Sequence, residues 1–496
     1  MMYSIQNDKL QPFIPKRVTS WAMLTYVAAI FCCNILFASH MLNWQWWFFG
    51  AIEVFGFFYF VNSLTKDWLY LKSLHFTQKL FLLALFLRAV WVIISYFLYQ
   101  NWTGKPFSIG AADELFYYDI AQHTAHLMRN GDWRIYYNLN EYVYDVTSHE
   151  LAFSDTGYPI YLTLLNWLFE DSVIIPRFLK SILGAWSTIL IYKLASRNFG
   201  EYIGRMTAIM CMLMPNLIYY CSFQLKEVEM VFLCILFTER ADFLLRKGKL
   251  ALMPTAALML IPAIMFTIRT ALAAVMVMAF FCALLLSSER IVSWGRRALL
   301  LTLALLFAGV VLTTSTSIGQ DIQQMWQTRG SRQQANMEWR AERTDMAGGL
   351  NNRFAKYAGA AVFAPMIFTI PFPTMNEVPG QENQKMIHGG NFVKNILSFF
   401  TIASMFILLF SGDWRKYVLP LAILCGYLVV LVFSNFAQSE RFHLPIVPFT
   451  LMFAAYGISK MNEVWWIKHY YPYWCALMFV AAIAWNWFKL AGRGMI

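Results

Sequence analysis

The sequence predicts an all-α polytopic membrane protein. Of its 496 residues, 59% are hydrophobic and only 14% are charged, and the mean hydropathy is +0.49, which is the composition of a chain whose solvent is mostly lipid. Aromatic residues make up 18% of the chain, a content that suits side chains anchored at two membrane–water interfaces. Apolar stretches of bilayer length also follow one another along almost the whole chain.

About 13 stretches are predicted to be transmembrane helices, since a helix needs about 20 apolar residues to cross a bilayer. They run near Trp21 to Leu42, Trp46 to Leu64, Leu80 to Tyr99, Ile174 to Leu194, Met206 to Tyr220, Val228 to Leu245, Leu250 to Ile268, Thr270 to Ser287, Ala298 to Ser317, Phe392 to Phe410, Val418 to Ser434, Leu444 to Gly457 and Tyr471 to Phe488. The polar start, Met1 to Ser20, lacks a small-residue cleavage site, so the first span is expected to be retained.

Basic residues mark alternate loops between these spans, and this pattern predicts the cytoplasmic side. They include Lys16, Arg17, Lys66, Lys72, Lys79, Lys193, Arg197, Arg205, Arg240, Arg246, Arg290, Arg296, Arg415, Lys416, Lys460 and Lys468. The formal net charge of +11 is therefore spread over short loops and not gathered on one face. This distribution indicates topology and argues against a nucleic-acid partner.

Two loops on the opposite, outer side are long, and loops of such length are usually functional or disordered. Each contains an apolar stretch too short to span, Tyr158 to Phe169 and Ala358 to Ile370, which we predict to be an interfacial helix. The predicted organisation is N-terminal transmembrane helices at 1–99, a first outer loop at 100–173, a transmembrane core at 174–317, a second outer loop at 318–391 and C-terminal transmembrane helices at 392–496.

The first outer loop carries the acidic pair Asp113-Glu114, followed at helical spacing by aromatic and small residues. Adjacent side chains on a helix diverge by about 100°, so the two cannot form a paired dyad and one of them is expected to face a site. Asp113 is the candidate general base and Glu114 the second catalytic candidate. The alternative is a helix N-terminus, where an acidic pair complements the dipole and caps free N–H groups.

This acidic loop resembles the first external loop of the GT-C membrane glycosyltransferases, and further motifs extend the resemblance to bacterial members of family 39, which use polyprenyl- or dolichyl-phosphate sugars. The matching segments are Asp113-Glu114 with Tyr117 and Ala121, Gly157-Tyr158-Pro159-Ile160-Tyr161, Pro176-Arg177-Phe178-Leu179, Met214-Pro215-Asn216, Ser222-Phe223-Gln224-Leu225-Lys226-Glu227, and Glu440-Arg441-Phe442-His443-Leu444-Pro445-Ile446-Val447-Pro448. They span roughly Asp113 to Gly457 in the family's order.

The resemblance implies a GT-C-type fold and an enzyme that moves a sugar from a polyprenyl-phosphate donor to a hydroxyl acceptor, with inversion at the anomeric carbon. It implies a multi-pass protein of the bacterial inner membrane with its active site on the periplasmic face. Tyr117, Tyr158 and His443 are the substrate-loop residues that it implies. The expected partners are the lipid-linked sugar, a glycan, lipid or protein acceptor, and membrane lipids.

Four cations at the outer ends of spans are candidates for binding the donor phosphate: Arg269, Arg441, Lys226 and Arg177. A charge at such a position is costly unless it is paired or solvated, and the guanidinium fork of arginine suits a phosphate. Two alternatives stay open. Arg269, in a very short turn, would also reach lipid headgroups by snorkelling, and Lys226 has Glu227 and Glu229 beside it.

No cofactor is predicted. His123, His126 and His149 share the first outer loop with Asp113, Asp119 and Asp145, but no further ligand spacing supports a metal site. The second acidic residue that some relatives place in a later outer loop is not evident, which leaves a divalent-metal requirement open. Glu53 and Arg88 lie within predicted spans, where pairing with each other would hold the first helices together.

Two other functions compete with glycosyl transfer from a lipid monophosphate. One is a polysaccharide polymerase or ligase that uses a polyprenyl-diphosphate glycan, and the other is a lipid or glycan transporter (flippase). A transporter is expected to show repeat symmetry and charges near the bilayer midplane. The candidate charges here crowd one face, which favours the enzyme.

Overall fold

The computed structural model describes residues 13–109, 112–148, 151–246, 252–287, 302, 366–433, 439–491 and 494–496. Within these residues eight helices are long and apolar enough to cross a bilayer, and two shorter apolar helices run over Met253–Ile268 and Thr270–Leu286. The described residues contain no β-strand, only the isolated bridge between Met41 and Asn376. The predicted all-α polytopic membrane fold is therefore confirmed.

The helices are numbered here in chain order among the described residues. The first nine are α1 (Lys16–Leu36), α2 (Trp44–Asp67), α3 (Ser73–Thr103), α4 (Ala112–Arg129), α5 (Ile135–Thr147), α6 (Gly157–Phe169), α7 (Ile174–Phe199), α8 (Glu201–Leu213) and α9 (Pro215–Tyr219). The others are α10 (Glu227–Arg246), α11 (Leu252–Ile268), α12 (Thr270–Leu286), α13 (Glu382–Met386), α14 (His388–Ser411), α15 (Val418–Phe433), α16 (Glu440–His443), α17 (Val447–Ser459) and α18 (Trp465–Ala491).

The predicted spans coincide with described helices except for Ala298 to Ser317, which lies outside the described residues apart from Thr302. One predicted span, Met206 to Tyr220, is interrupted. Helix α8 ends at Leu213, Met214 is extended with φ −62° and ψ 115°, and α9 begins at Pro215. A residue before proline is pushed out of the helical region, and proline lacks the N–H that would continue the helix.

Helix α8 lies at the centre of the bundle, where it packs against α7, α2 and α17. The connection from α7 to α8 is the single residue Gly200, whose φ of +93° only glycine adopts readily. Elsewhere α3 packs on α7, α14 on α17, α12 on α15 and α1 on α18. These neighbours bury most of the large apolar side chains in one continuous core.

Glu53 and Arg88 do not pair as predicted, because each is bonded to the end of another helix. Arg88 is buried and donates to the carbonyl oxygens of Met212 (3.4 Å) and Cys211 (3.3 Å), in the last turn of α8. Glu53 accepts a hydrogen bond of 3.0 Å from the backbone N–H of Gly390, in the first turn of α14. Helix ends leave backbone groups without intrahelical partners, and these two charges satisfy some of them.

Helices α4, α5 and α6 pack on one another beside the bundle, through small apolar clusters that include Ile120, Leu139 and Leu162. We call the end of the bundle that they occupy the site end. The predicted short helix near Tyr158 to Phe169 is α6. Of the second predicted interfacial helix, Ala358 to Ile370, only Met366 to Ile370 is described, as a turn. The division into five segments stays a prediction.

The close packing of α14 on α17 gives a test of the fold. A Cβ atom at Gly457 would lie 2.3 Å from the carbonyl oxygen of Phe400, whereas a Cβ at Gly56 would meet nothing within 4 Å. We therefore expect Gly457→Ala to cost about 1–3 kcal/mol through overpacking and to lower the melting temperature of the purified protein. Gly56→Ala, the matched control, should leave it unchanged or raise it slightly. Equal melting temperatures in the two variants would contradict this packing.

Candidate active site

Asp113 forms an ion pair with Arg441 at the site end. The carboxylate lies in the first turn of α4 and the guanidinium in α16, and Asp113 Oδ2 is 2.6 Å from Arg441 Nη2. The Asp113 side chain is 54% exposed and that of Arg441 is 29% exposed. Arg441 Nε also lies 3.8 Å from Glu227 Oε1. The structure thus joins two of the predicted site residues in a pair that a ligand can reach.

Glu114 points the other way and is buried. Its carboxylate accepts hydrogen bonds from the N–H (3.1 Å) and hydroxyl (3.1 Å) of Ser108 and from the N–H of Gln224 (2.8 Å). Arg177 Nη2 donates the fourth bond at 2.9 Å, and the two charged side chains are 1% and 0% exposed. Glu114 therefore ties the start of α4 to α7 and to the segment before α10.

Arg177 is correspondingly closed to solvent. Besides Glu114 it donates to the carbonyl oxygen of Pro106, and its guanidinium lies 5.8 Å from the ring centroid of Phe107. Pro106 and Phe107 both belong to the segment just before α4. The guanidinium thus faces this segment and not the half-exposed Asp113 carboxylate.

Lys226 finds a partner from another part of the chain, and not from the neighbouring Glu227 or Glu229. Its ammonium group is bonded to the Asp155 carboxylate and donates to the carbonyl oxygen of Ile268 at 2.9 Å. The first bond reaches the 3₁₀ turn before α6, and the second reaches the end of α11. Lys226 therefore holds three segments together beside the Asp113–Arg441 pair.

Arg269 lies near Arg441, and the guanidinium groups of both pack on the same aromatic ring. The guanidinium carbons of Arg269 and Arg441 are 4.6 Å and 4.8 Å from the centroid of Phe442. Arg269 is the residue at which α11 ends and α12 begins. Two cations on one ring gain from its quadrupole and concentrate positive charge at the site end.

Tyr117 and Tyr158 pack edge to face, with ring centroids 5.2 Å apart. Lys180 Nζ donates to the Tyr158 hydroxyl at 2.8 Å and lies 3.4 Å from the Glu229 carboxylate. Burial raises the pKa of both tyrosine hydroxyls well above the ordinary range, and for Tyr117 the Asp155 carboxylate adds to the rise. Both therefore remain neutral hydrogen-bond donors at physiological pH.

His443, the last predicted substrate-loop residue, is buried in α16, two residues after Arg441. Sequence reasoning missed Lys180, although it follows Arg177 by three residues and so shares one face of α7 with it. It also missed the acidic neighbour of Arg441, Glu440, and the Asp155 partner of Lys226. A charge inside an apolar run was the available signal for Lys180.

The candidate histidines do not converge. The His123 ring lies 4.7 Å from that of Tyr142, and His126 Nδ1 is bonded to Asn130 at 3.3 Å, while His149 lies outside the described residues. Within the part of the chain that the structure describes, no group of three His, Cys, Asp or Glu side chains is placed to hold a metal ion. The described residues therefore give no donor set that fits a divalent cation.

A cavity of about 250 Å³ opens next to the ion pair. Its walls come from the segment before α4, the segment between α9 and α10, the turn that begins at Gly380, and Glu440 with Arg441. Arg441 thus lies between Asp113 and the cavity.

Comparison with known proteins gives a structural likeness but no match in sequence. No family model matches the sequence, and no curated protein matches it. Among solved structures, the chain is similar to the Archaeoglobus fulgidus oligosaccharyltransferase determined in complex with Zn and sulfate, with a TM-score of 0.38 and 10% sequence identity. The likeness covers 84% of this chain and 53% of that protein, so the chain spans about half its length.

The buried Glu114–Arg177 pair can be tested by stability. Removing one partner leaves the other charge buried without compensation, which typically costs about 3–5 kcal/mol. We expect Glu114→Gln and Arg177→Met each to lower the melting temperature clearly, and the double variant to lose less than the two single losses combined. Arg134→Gln is the control, since its pair with Asp132 is exposed and should change little. Additive losses would show that the two side chains do not act as a pair.

Proposed function

We propose that this chain is a GT-C-type membrane glycosyltransferase that moves a sugar from a polyprenyl-phosphate donor to a hydroxyl acceptor, with inversion at the anomeric carbon. The observation that carries the proposal is the Asp113–Arg441 pair: a half-exposed carboxylate in contact with a half-buried guanidinium, beside a cavity at one end of an apolar helical bundle. This chemistry requires two groups: a general base for the acceptor hydroxyl and a cation that binds the leaving phosphate.

In the proposed reaction Asp113 accepts the proton of the acceptor hydroxyl. The acceptor oxygen forms a bond to the anomeric carbon of the donor sugar while the bond from that carbon to the phosphate oxygen breaks. The electron pair of the broken bond leaves with the polyprenyl phosphate. Arg441 is placed to neutralise this developing charge because its guanidinium already contacts an oxyanion at 2.6 Å.

Arg269 and Lys226 extend the positive charge next to Arg441. Arg269 shares the Phe442 ring with it, and Lys226 lies 5.9 Å from the centroid of the Tyr117 ring. Glu114 and Arg177 enter the proposal as positioning residues, because their side chains are buried and bonded to each other. They orient α4 so that Asp113 faces Arg441.

The proposal assigns the site end to the periplasmic face of a bacterial inner membrane. The basic residues of the loops Lys66 to Lys72, Lys193 to Arg205 and Arg415 to Lys416 lie at the opposite end of the described helices, and such residues mark the cytoplasmic side. The prenyl chain of the donor would lie against the apolar helices in the bilayer, which brings its phosphate to the level of the site.

The role of Asp113 is tested by activity. With a panel of synthetic polyprenyl-phosphate hexoses, Asp113→Asn should fold normally and release polyprenyl phosphate at least about a hundredfold more slowly than the wild type, the usual scale for loss of a general base. Asp145→Asn, an exposed acid of α5, is the matched control and should remain active. Near-wild-type turnover of Asp113→Asn would leave that residue with only the helix-cap role.

The phosphate-binding role of the two arginines is tested by affinity. We expect Arg269→Met and Arg441→Met to weaken binding of undecaprenyl phosphate by about 1.5–3 kcal/mol, because a charge-assisted hydrogen bond is lost. Lysine at either position should restore only part of the affinity, since it lacks the planar fork. Titration in lipid nanodiscs followed by native mass spectrometry measures this, with Arg134→Met as the control. Unchanged affinity in both Met variants would show that neither arginine binds the donor phosphate.

A further inference from the structure

We propose that the cavity beside Arg441 is an acceptor subsite for a neutral carbohydrate, which is held by Glu440, by the side-chain amides of Gln381 and Gln384, and by an aromatic wall. This inference rests on the proposed function and deepens it, because it makes the acceptor a glycan and not a protein or a lipid. The volume of about 250 Å³ has room for about eight water molecules, which is large enough for a sugar ring.

Glu440 gives the first reason. Its side chain is 8% exposed, and it lines the cavity. One carboxylate oxygen, Oε1, accepts a hydrogen bond of 3.0 Å from the Tyr220 hydroxyl. The other oxygen, Oε2, is buried without a hydrogen-bond partner among the described residues. Burying an acceptor without a donor is unfavourable. The proposal requires the Glu440 carboxylate to turn this oxygen towards the cavity, where a hydroxyl group of a ligand would supply the donor.

The charge of the lining selects against an anionic ligand. Two carboxylates, Glu382 and Glu440, line the cavity together with one guanidinium, Arg441, whose charge is already shared with Asp113. An ionised carboxylate or a phosphodiester has no proton to donate to Glu440 Oε2, and any anion would be repelled by this carboxylate. A neutral polyol does donate, so the cavity is chemically distinct from the proposed phosphate site.

Gln381, which precedes α13, and Gln384, within α13, contribute side-chain amides that are held by Lys489. Lys489 donates to Gln381 Oε1 at 2.6 Å and is also bonded to Gln384 Oε1. The amide oxygens of both glutamines are bonded to Lys489, which leaves their NH₂ groups to donate in another direction. Both glutamines line the cavity. They can therefore donate to the oxygens of a sugar.

The opposite wall is aromatic. Phe223 packs edge to face on Tyr219, with centroids 4.7 Å apart, and on Tyr220, at 5.6 Å, and all three line the cavity. A pyranose ring has an apolar C–H face and polar edges. A cavity with an aromatic wall and a few convergent polar groups matches that division. A sugar bound here would contact Arg441, whose guanidinium also holds Asp113. A hydroxyl group that extends past this guanidinium would be the one whose proton Asp113 accepts.

The test is saccharide binding to the full-length protein in lipid nanodiscs, free of glycoside detergents. Saturation-transfer-difference NMR would be recorded with the methyl glycosides of glucose, galactose, mannose and N-acetylglucosamine and with their disaccharides. We expect at least one saccharide to bind, and Glu440→Gln to weaken its affinity at least fivefold, since an amide nitrogen replaces the accepting oxygen. Gln384→Ala should weaken it about threefold. Gln384 lies in α13 and is partly exposed, so this variant is a second route should Glu440→Gln not fold. Glu463→Gln, whose pair with Lys460 follows α17, is the control.

The outcomes separate this inference from the proposed function. No saccharide signal with the wild type, or equal affinity in the wild type and both cavity variants, would overturn the subsite even if polyprenyl-phosphate hexoses are turned over. Saccharide binding that is weakened in the cavity variants would support the subsite, and it would do so even if Arg269→Met and Arg441→Met left undecaprenyl phosphate binding unchanged. In that last case the proposal of a polyprenyl-phosphate donor would be wrong, whereas the proposed saccharide subsite would be supported.

Discussion

The arrangement of the site end depends on the buried ion pair between Glu114 and Arg177. Both side chains are almost completely closed to solvent, and the remaining acceptor capacity of Glu114 is filled by Ser108 and by the N–H of Gln224. Burying two charges is favourable only when their geometry and hydrogen bonds compensate for lost hydration. The Glu114 oxygens are bonded, whereas Nε and Nη1 of Arg177 are buried without a hydrogen-bond partner among the described residues, so the pair fixes the geometry at a cost in stability. The consequence for Asp113 is geometric. Adjacent helical side chains diverge by about 100°, so fixing Glu114 towards Arg177 leaves Asp113 to face Arg441.

Much of the fold follows from the sequence because the bilayer imposes one strong rule: a chain that crosses it satisfies its backbone within helices. Long apolar runs therefore marked the helices. The break at Met214 was missed because the apolar run continues through Pro215. The predicted pair of Glu53 and Arg88 was wrong for a related reason: each charge is bonded to the end of a different helix, α14 or α8, and the positions of helix ends relative to other helices are not visible in a linear pattern.

The candidate site was predictable in its residue types but not in its pairing. Asp113 stood out as part of the acidic pair in the first outer loop, and Arg441 because a charge at the end of an apolar span is costly. The two are nevertheless joined across most of the chain. Arg177 and Lys226 were chosen for the same reason, and they turned out to have carboxylate partners, Glu114 and Asp155, from the first predicted outer loop. Which carboxylate a cation meets depends on how α4 and α6 fold back on the bundle. No local spacing in the sequence contains that information.

The charged side chains at the two ends of the bundle have different surroundings. This difference supports placing the chemistry at the site end. At the end opposite the site, Arg205 donates to the carbonyl oxygens of Trp68, Leu69 and Leu71 and pairs with Glu201, while Arg197 is bonded to both Glu239 and Asp242. These groups fasten the loop after α2 to α8 and α7 to α10. At the site end, Glu114 and Arg177 do comparable work, but the Asp113 carboxylate keeps half of its surface open beside a cavity that contains a buried carboxylate oxygen. Exposed pairs such as Lys416–Asp413 occur at the opposite end as well. It is therefore the combination of a half-exposed carboxylate, two arginines on one ring and a cavity that distinguishes the site end.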